Sequence, residues 1–128
     1  MDQSDMASRL VGSVWLRRVG VICVVAIVIL SLTPGDLQVR TGLPGLLEHI
    51  VAYGITASAI TMGARSHRFP GVIIATLVAF SGLMEALQVW SPGREPELMG
   101  FLSSSFGAAA GAFLAYVVRG RLETSPVQ

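Results

Sequence analysis

Four long apolar stretches dominate the sequence and limit what the chain can fold into. They run over about residues 15–32, 46–62, 71–90 and 101–118, and polar or turn-forming residues separate them. The hydrocarbon core of a bilayer is about 30 Å thick, so a helix that crosses it needs about 20 mostly apolar residues. Each stretch meets or approaches that length. The sequence therefore predicts four transmembrane helices.

The scarcity of charge supports this interpretation. Charged residues make up 13% of the chain and hydrophobic residues 52%, whereas about a quarter of a soluble domain is charged. A soluble domain of this size has too much surface to bury so much apolar area. The same scarcity argues against disorder, a coiled coil and a nucleic-acid partner. The single cysteine, Cys23, excludes an intramolecular disulfide.

The apolar stretches fit helices better than strands. A membrane β-barrel alternates apolar and polar residues over segments of about ten, and runs such as VGVICVVAIVIL do not alternate. The connections are short, so consecutive helices are expected to pack as antiparallel neighbours. We therefore expect an all-α bundle of four transmembrane helices over residues 14–121. The polar segments 1–13 and 122–128 are expected to be loosely ordered tails.

The first stretch also has the order of residues found in a cleavable signal peptide, with basic residues before an apolar run. The segment SLTPGDL that follows it lacks a small-x-small cleavage site. We therefore expect a retained helix.

The basic residues, all of them arginines, predict the orientation. Two of the nine, Arg40 and Arg94, fall on one side of a four-span arrangement, and the other seven fall on the opposite side: Arg9, Arg17, Arg18, Arg65, Arg68, Arg119 and Arg121. Positive charge is retained on the cytoplasmic side. Both termini and the loop at 63–70 are therefore expected in the cytoplasm, with the loops at 33–45 and 91–100 outside.

Ionisable residues within membrane segments are costly and mark candidate functional sites. Here they gather near the outer ends of the second and third predicted helices. His49 and Tyr53 are four residues apart and share a helical face, and Glu85 and Gln88, three apart, share another. Glu85 lies five residues before Trp90, which places it about 7–8 Å inside the helix end.

A carboxylate at the depth of Glu85 must be protonated, paired or beside water, and Arg94 is the nearest basic candidate. Simpler roles also fit some of these residues. Glu48 lies in the first turn of a helix, where the dipole favours an anion, and Tyr53 matches the aromatic belt of membrane proteins. The spacing of Glu48, His49 and Glu85 has no specificity for a metal, so no metal or other cofactor is expected.

The fourth predicted helix carries small residues at regular spacing. Gly107 and Gly111 form a Gly-x-x-x-Gly motif, which lets membrane helices approach closely. Two interpretations fit this motif. It packs against another helix of the same chain, or it mediates a homo-oligomer through the fourth helix.

Several of these residues together resemble the VanZ-like family of small bacterial membrane proteins. The resemblance covers about residues 31–115, and two segments carry it, LEHIVAYGITA and EALQVWSPGREPELMGFLSSSFGAAAG. The family pattern has four elements, His-x-x-x-Tyr, Glu-x-x-Gln, a Pro-Gly-Arg turn and Gly-x-x-x-Gly. They are matched in order by His49 and Tyr53, Glu85 and Gln88, Pro92 to Arg94, and Gly107 and Gly111.

The chain also departs from the family pattern. Gly100 and Ser104 stand where family members typically carry Asp and Asn, and Gly45 and Leu46 replace an Asp-Lys pair. If a chemical step needs those family residues, this chain has lost it or uses other residues in their place: Glu97, Ser104 and Glu48. The resemblance implies a membrane fold and a link to glycopeptide (teicoplanin) resistance.

Two main hypotheses about function follow. In the first, an outward-facing polar cluster binds a cell-envelope or lipid-linked component; the cluster is His49, Tyr53, Glu85, Gln88 and Arg94. In the second, the protein is an enzyme that acts on a lipid-linked envelope precursor, with His49 and Glu85 as acid–base groups and Arg94 on a phosphate. A transporter is a third hypothesis, but four spans without an internal repeat are too few unless the chain oligomerises.

The orientation gives a first prediction. A reporter fused after Gln128 is expected in the cytoplasm, so green fluorescent protein at this position should fluoresce and alkaline phosphatase should be inactive. Active alkaline phosphatase would contradict the orientation.

Overall fold

The computed structural model of the protein describes residues 3–38, 42–66 and 68–124, with side chains from residue 13 onward. These residues form a short 3₁₀ turn at Gly35–Leu37 and four α-helices: α1 (Gln3–Leu32), α2 (Gly45–Gly63), α3 (Gly71–Gln88) and α4 (Leu98–Thr124). No strand occurs among the described residues. All four helices are long and apolar enough to cross a membrane. The predicted all-α bundle of four transmembrane helices is confirmed.

The helices differ in length from the predicted spans. α1 begins at Gln3, inside the segment expected to be a loose tail, and α4 extends beyond its predicted span at both ends. α3 ends at Gln88, two residues before the predicted end. Hydropathy predicts only the apolar part of a helix, which crosses the hydrocarbon core. The helix itself can be longer, because its backbone hydrogen bonds form equally well between polar residues.

The order of helices around the bundle differs from the expected order. α2 packs most extensively against α4 and then against α1, while α3 packs mainly against α4. The expectation that consecutive helices are neighbours therefore fails for α2 and α3, which contact each other little. The physical reason is that α2 and α4 present small residues to each other, which gives them the closest approach.

Glycines bring the backbones of α2 and α4 together. A Cβ atom at Gly111 would lie 2.8 Å from the Cα of Gly54, and one at Gly107 would lie 2.9 Å from the Cα of Ile50. The Ser58 hydroxyl donates a hydrogen bond to the Gly111 carbonyl at 3.0 Å. The glycine face of α4 is thus covered by α2 of the same chain. The Gly-x-x-x-Gly motif therefore packs within the chain, as the first of the two interpretations predicts.

The surface of the bundle carries large apolar side chains, unlike the surface of a soluble protein. The largest fully buried side chains are those of Thr56, Ser81 and Ser104, whereas Ile22 and Phe113 are 64% and 56% exposed. Large apolar side chains on the outside suit contact with lipid, and small residues inside let membrane helices pack closely.

The arginines cluster at one end of the bundle, which we call the arginine end. It contains six arginines whose side chains are described: Arg17, Arg18, Arg65, Arg68, Arg119 and Arg121. Arg94 lies at the opposite end, which we call the cavity end because Arg94 there lines a large cavity. The side chain of Arg9 and the whole of Arg40 lie outside the described residues.

Gly111→Val is expected to lower the free energy of unfolding by about 1–3 kcal/mol, because the added side chain would force α2 and α4 apart. Ala110→Val is the matched control, since Ala110 is the exposed neighbour on the same helix and its replacement should change stability by less than about 0.5 kcal/mol. Unfolding in mixed detergent micelles measures both. Equal effects would contradict the close packing.

Candidate functional site

A cavity of about 750 Å³ lies at the cavity end, between the start of α2, the end of α3 and the loop that leads into α4. We call it the polar cavity. Its ionisable and amide side chains are Gln38, Glu48, His49, Glu85, Gln88, Arg94, Glu95 and Glu97. Glu85, Glu95 and Glu97 outnumber Arg94 on its wall, which gives it a negative potential.

His49 lies on α2, and its imidazole contacts α4. Its Nδ1 lies 3.0 Å from the hydroxyl oxygen of Ser104, and Ser104 is fully buried. The other ring nitrogen, Nε2, points towards Gly100, where it would lie 3.5 Å from an added Cβ. Ser104 therefore fixes the imidazole and leaves Nε2 for another partner.

The carboxylate of Glu85 shares this space. Its Oε1 would lie 2.6 Å from a Cβ at Gly100, so a side chain at position 100 would displace it. The Glu85 carboxylate and the His49 imidazole thus both lie beside the bare backbone of Gly100. The glycine at position 100 leaves room for the Glu85 carboxylate.

Glu85 caps the start of α4. Its Oε2 accepts a hydrogen bond from the backbone N–H of Glu97 at 3.0 Å, and Glu97 directly precedes the first residue of α4. The start of a helix has unsatisfied N–H groups and a positive partial charge, which stabilise a carboxylate. The Glu85 carboxylate therefore has a partner at the start of α4 that is a backbone N–H rather than a basic side chain.

Arg94 was the predicted partner of Glu85, and the structure gives it different partners. Its guanidinium donates hydrogen bonds to the carbonyls of Leu30, at 3.1 Å, and Ser31, at 2.9 and 3.3 Å. The Ser91 hydroxyl donates to the next carbonyl, that of Leu32, at 3.1 Å. These are the last carbonyls of α1, which no residue of α1 can satisfy. The reason is electrostatic, because the negative end of α1 attracts the cation.

The two other residues of the predicted cluster, Gln88 and Tyr53, lie at different depths in the bundle. Gln88 is 5% exposed and lines the polar cavity. Tyr53 is 3% exposed and lies deeper, where its hydroxyl interacts with Ser81 and Ser104. Tyr53 is thus part of the packed interior rather than of an aromatic belt, and it supports the Ser104 hydroxyl that holds His49.

The structure brings two of the secondary candidates, Glu48 and Glu97, onto the cavity wall, and it places Ser104 behind His49. Among the described residues, no three His, Cys, Asp or Glu side chains are arranged to hold a metal ion. Sequence reasoning missed Gln38 and Glu95, which also line the cavity. Both are in loops, where periodicity carries no signal.

No family model matches the sequence, and neither does any curated protein or any solved structure. The VanZ-like resemblance therefore stays a prediction from the motif residues.

Arg94→Gln is expected to lower the free energy of unfolding by about 1–3 kcal/mol, because it removes charged hydrogen bonds to the end of α1. Arg18→Gln removes the same charge from an exposed position of α1 and should cost less than about 0.5 kcal/mol. Chemical denaturation in detergent compares the two variants. An Arg94→Gln protein as stable as wild type would show that the guanidinium is not anchored there.

Proposed function

We propose that the chain is a multi-pass bacterial inner-membrane protein of the VanZ-like type that binds a cell-envelope component in its polar cavity through a positively charged amine. The observation that carries this proposal is the cavity wall itself. Glu85, Glu95 and Glu97 lie on it, while the guanidinium of its arginine is bound to the end of α1.

The charges favour a cationic group over an anionic one. At separations of about 4 Å, like charges repel by about 4 kcal/mol near a protein surface, and opposite charges attract as strongly. An ammonium group among Glu85, Glu95 and Glu97 gains this attraction. His49 and Gln88 add hydrogen-bonding groups for the neutral part of such a ligand.

The position of the cavity supports an envelope ligand. The polar cavity lies at the end of the bundle opposite the six described arginines of the arginine end. The positive-inside rule assigns the arginine end to the cytoplasm, which directs the polar cavity outward. Ligands that reach it from outside are extracytoplasmic molecules or lipids of the outer leaflet.

The motif residues also support the VanZ-like assignment. His49 lies on α2 and Glu85 and Gln88 lie on α3, and all three line one cavity. A site built from separate segments would produce such an ordered set of sequence motifs. The same residues would then determine what the protein binds.

A second candidate function is catalysis on a lipid-linked envelope precursor. It is favoured by the geometry of His49 and Glu85, because Nε2 and Oε1 both lie within 3.5 Å of the Cβ position of Gly100. An imidazole and a carboxylate that border the same space can act as general acid and general base on a group bound there. Arg94 would not hold the phosphate in this scheme, since its guanidinium is engaged by α1.

The binding proposal predicts that an amine-bearing molecule co-purifies with the protein from bacterial membranes. Glu85→Gln should reduce its occupancy about tenfold, the effect of losing about 1.4 kcal/mol of attraction. Asp36→Asn is the matched control, because Asp36 is an exposed carboxylate in the 3₁₀ turn. Native mass spectrometry of protein in lipid nanodiscs measures the occupancy.

Two results would contradict cation binding in this assay. The first is an occupancy that Glu85→Gln and Asp36→Asn change equally, and the second is a bound molecule that is anionic and carries no amine. Incubation with lipid-linked precursors tests the second candidate, because turnover that His49→Gln abolishes would favour an enzyme.

A further inference from the structure

A second cavity lies at the arginine end of the bundle. It has a volume of about 240 Å³ and is formed by the end of α2, the loop between α2 and α3, the start of α3 and the last turns of α4. The polar cavity lies at the other end of the same helices. The two cavities share no lining residue.

Two arginines, Arg68 and Arg119, line this cavity. Arg68 is exposed. Arg119 is fixed, because its Nη1 donates to the carbonyls of Ala64 at 2.7 Å and Thr61 at 3.3 Å, and its Nε pairs with Glu123 at 2.8 Å. The cavity thus has one anchored and one exposed guanidinium on its wall.

The Thr61 hydroxyl gives independent evidence that a ligand belongs here. Thr61 lines the cavity and is 4% exposed, and its Oγ1 has no hydrogen-bond partner among the described residues. Thr56 and Thr76, also in membrane helices, donate their hydroxyls to carbonyls four residues earlier, at 2.7 and 2.8 Å. A buried hydroxyl without a partner is unfavourable, and a ligand oxygen in the cavity would supply one.

The start of α3 adds positive potential. Pro70, Val72 and Ile73 line the cavity, so the first turn of α3 faces it. This turn contains no acidic residue and no side chain caps it. Unsatisfied N–H groups and the positive end of a helix dipole form a favourable place for a phosphate.

The remaining walls are apolar. Phe69 and Tyr116 pack edge to face with ring centroids 6.1 Å apart, and both line the cavity. Val72, beside them, is 81% exposed on the surface that suits lipid. A ligand that fits has an anionic group for the arginines and an apolar part that leaves along this surface.

We propose that this cavity binds the phosphate of an anionic phospholipid from the leaflet at the arginine end. The volume accommodates the phosphate and adjoining glycerol, while the acyl chains lie against the outer surface of α3. The predicted orientation makes this the cytoplasmic leaflet, where arginines near the surface attract anionic lipids. The proposal is independent of the ligand in the polar cavity.

The test uses the full chain in detergent, titrated with phosphatidylglycerol, phosphatidylcholine or inorganic phosphate and followed by native mass spectrometry. Wild type should bind phosphatidylglycerol at least about tenfold more tightly than phosphatidylcholine, because both lipids carry a phosphate but the choline cation of phosphatidylcholine is repelled by the arginines. Arg68→Gln should weaken phosphatidylglycerol binding about fivefold, the effect of one basic residue near an anionic lipid surface. Inorganic phosphate at millimolar concentration should not displace the lipid.

Arg18→Gln is the matched control, because it removes the same charge from an exposed position at the same end and should change binding less than about twofold. Thr61→Val replaces the unpartnered hydroxyl with a methyl group of similar shape, so it should weaken lipid binding without lowering the melting temperature.

Three results would overturn the proposal. Arg68→Gln and Arg18→Gln could weaken binding equally, which would show a diffuse charge effect. Wild type could bind both lipids equally, or inorganic phosphate could displace the lipid, which would identify a site for a soluble anion.

Discussion

The close approach of α2 and α4 determines the rest of the structure. Gly107 and Gly111 let the two backbones touch, which fixes the register between the helices. That register places His49 within 3.0 Å of Ser104 at one end and Arg119 against the last carbonyls of α2 at the other. A slip of one turn, about 5.4 Å, would separate both pairs. The two cavities therefore depend on one contact in the middle of the bundle.

Several arginines stabilise the ends of helices. The last carbonyls of a membrane helix have no partner within the helix and little water to replace one. Arg94 satisfies those of α1, while Arg17, at 2.7 Å from the carbonyl of Gly63, and Arg119 satisfy those of α2. This role explains why Arg94 lies at the end of the bundle opposite the six described arginines of the arginine end. Its charge stabilises the negative end of α1.

The sequence alone predicted the elements better than their contacts. Length and hydropathy identified all four helices, because crossing a bilayer requires a fixed number of apolar residues. Helical spacing also paired His49 with Tyr53 and Glu85 with Gln88 on shared faces. It could not tell which helix each face meets, so the partner of Arg94 and the α2–α4 contact needed the folded chain. The role of Gly100 could not be predicted for the same reason, because the Glu85 carboxylate that occupies the space beside it is distant in sequence.

The helices differ in the charges that lie at their N-terminal ends. α2 has Glu48 in its first turn, and α4 receives the Glu85 carboxylate at its start, so each has an anion where its dipole is positive. α3 differs, because neither its first turn nor its N-terminal flank provides an anion. Its start faces a cavity lined by Arg68 and by Arg119; Glu123 pairs with Arg119, so it is Arg68 that adds positive charge to a positive helix end. A bound phosphate would give α3 the anion that the chain itself provides to α2 and α4.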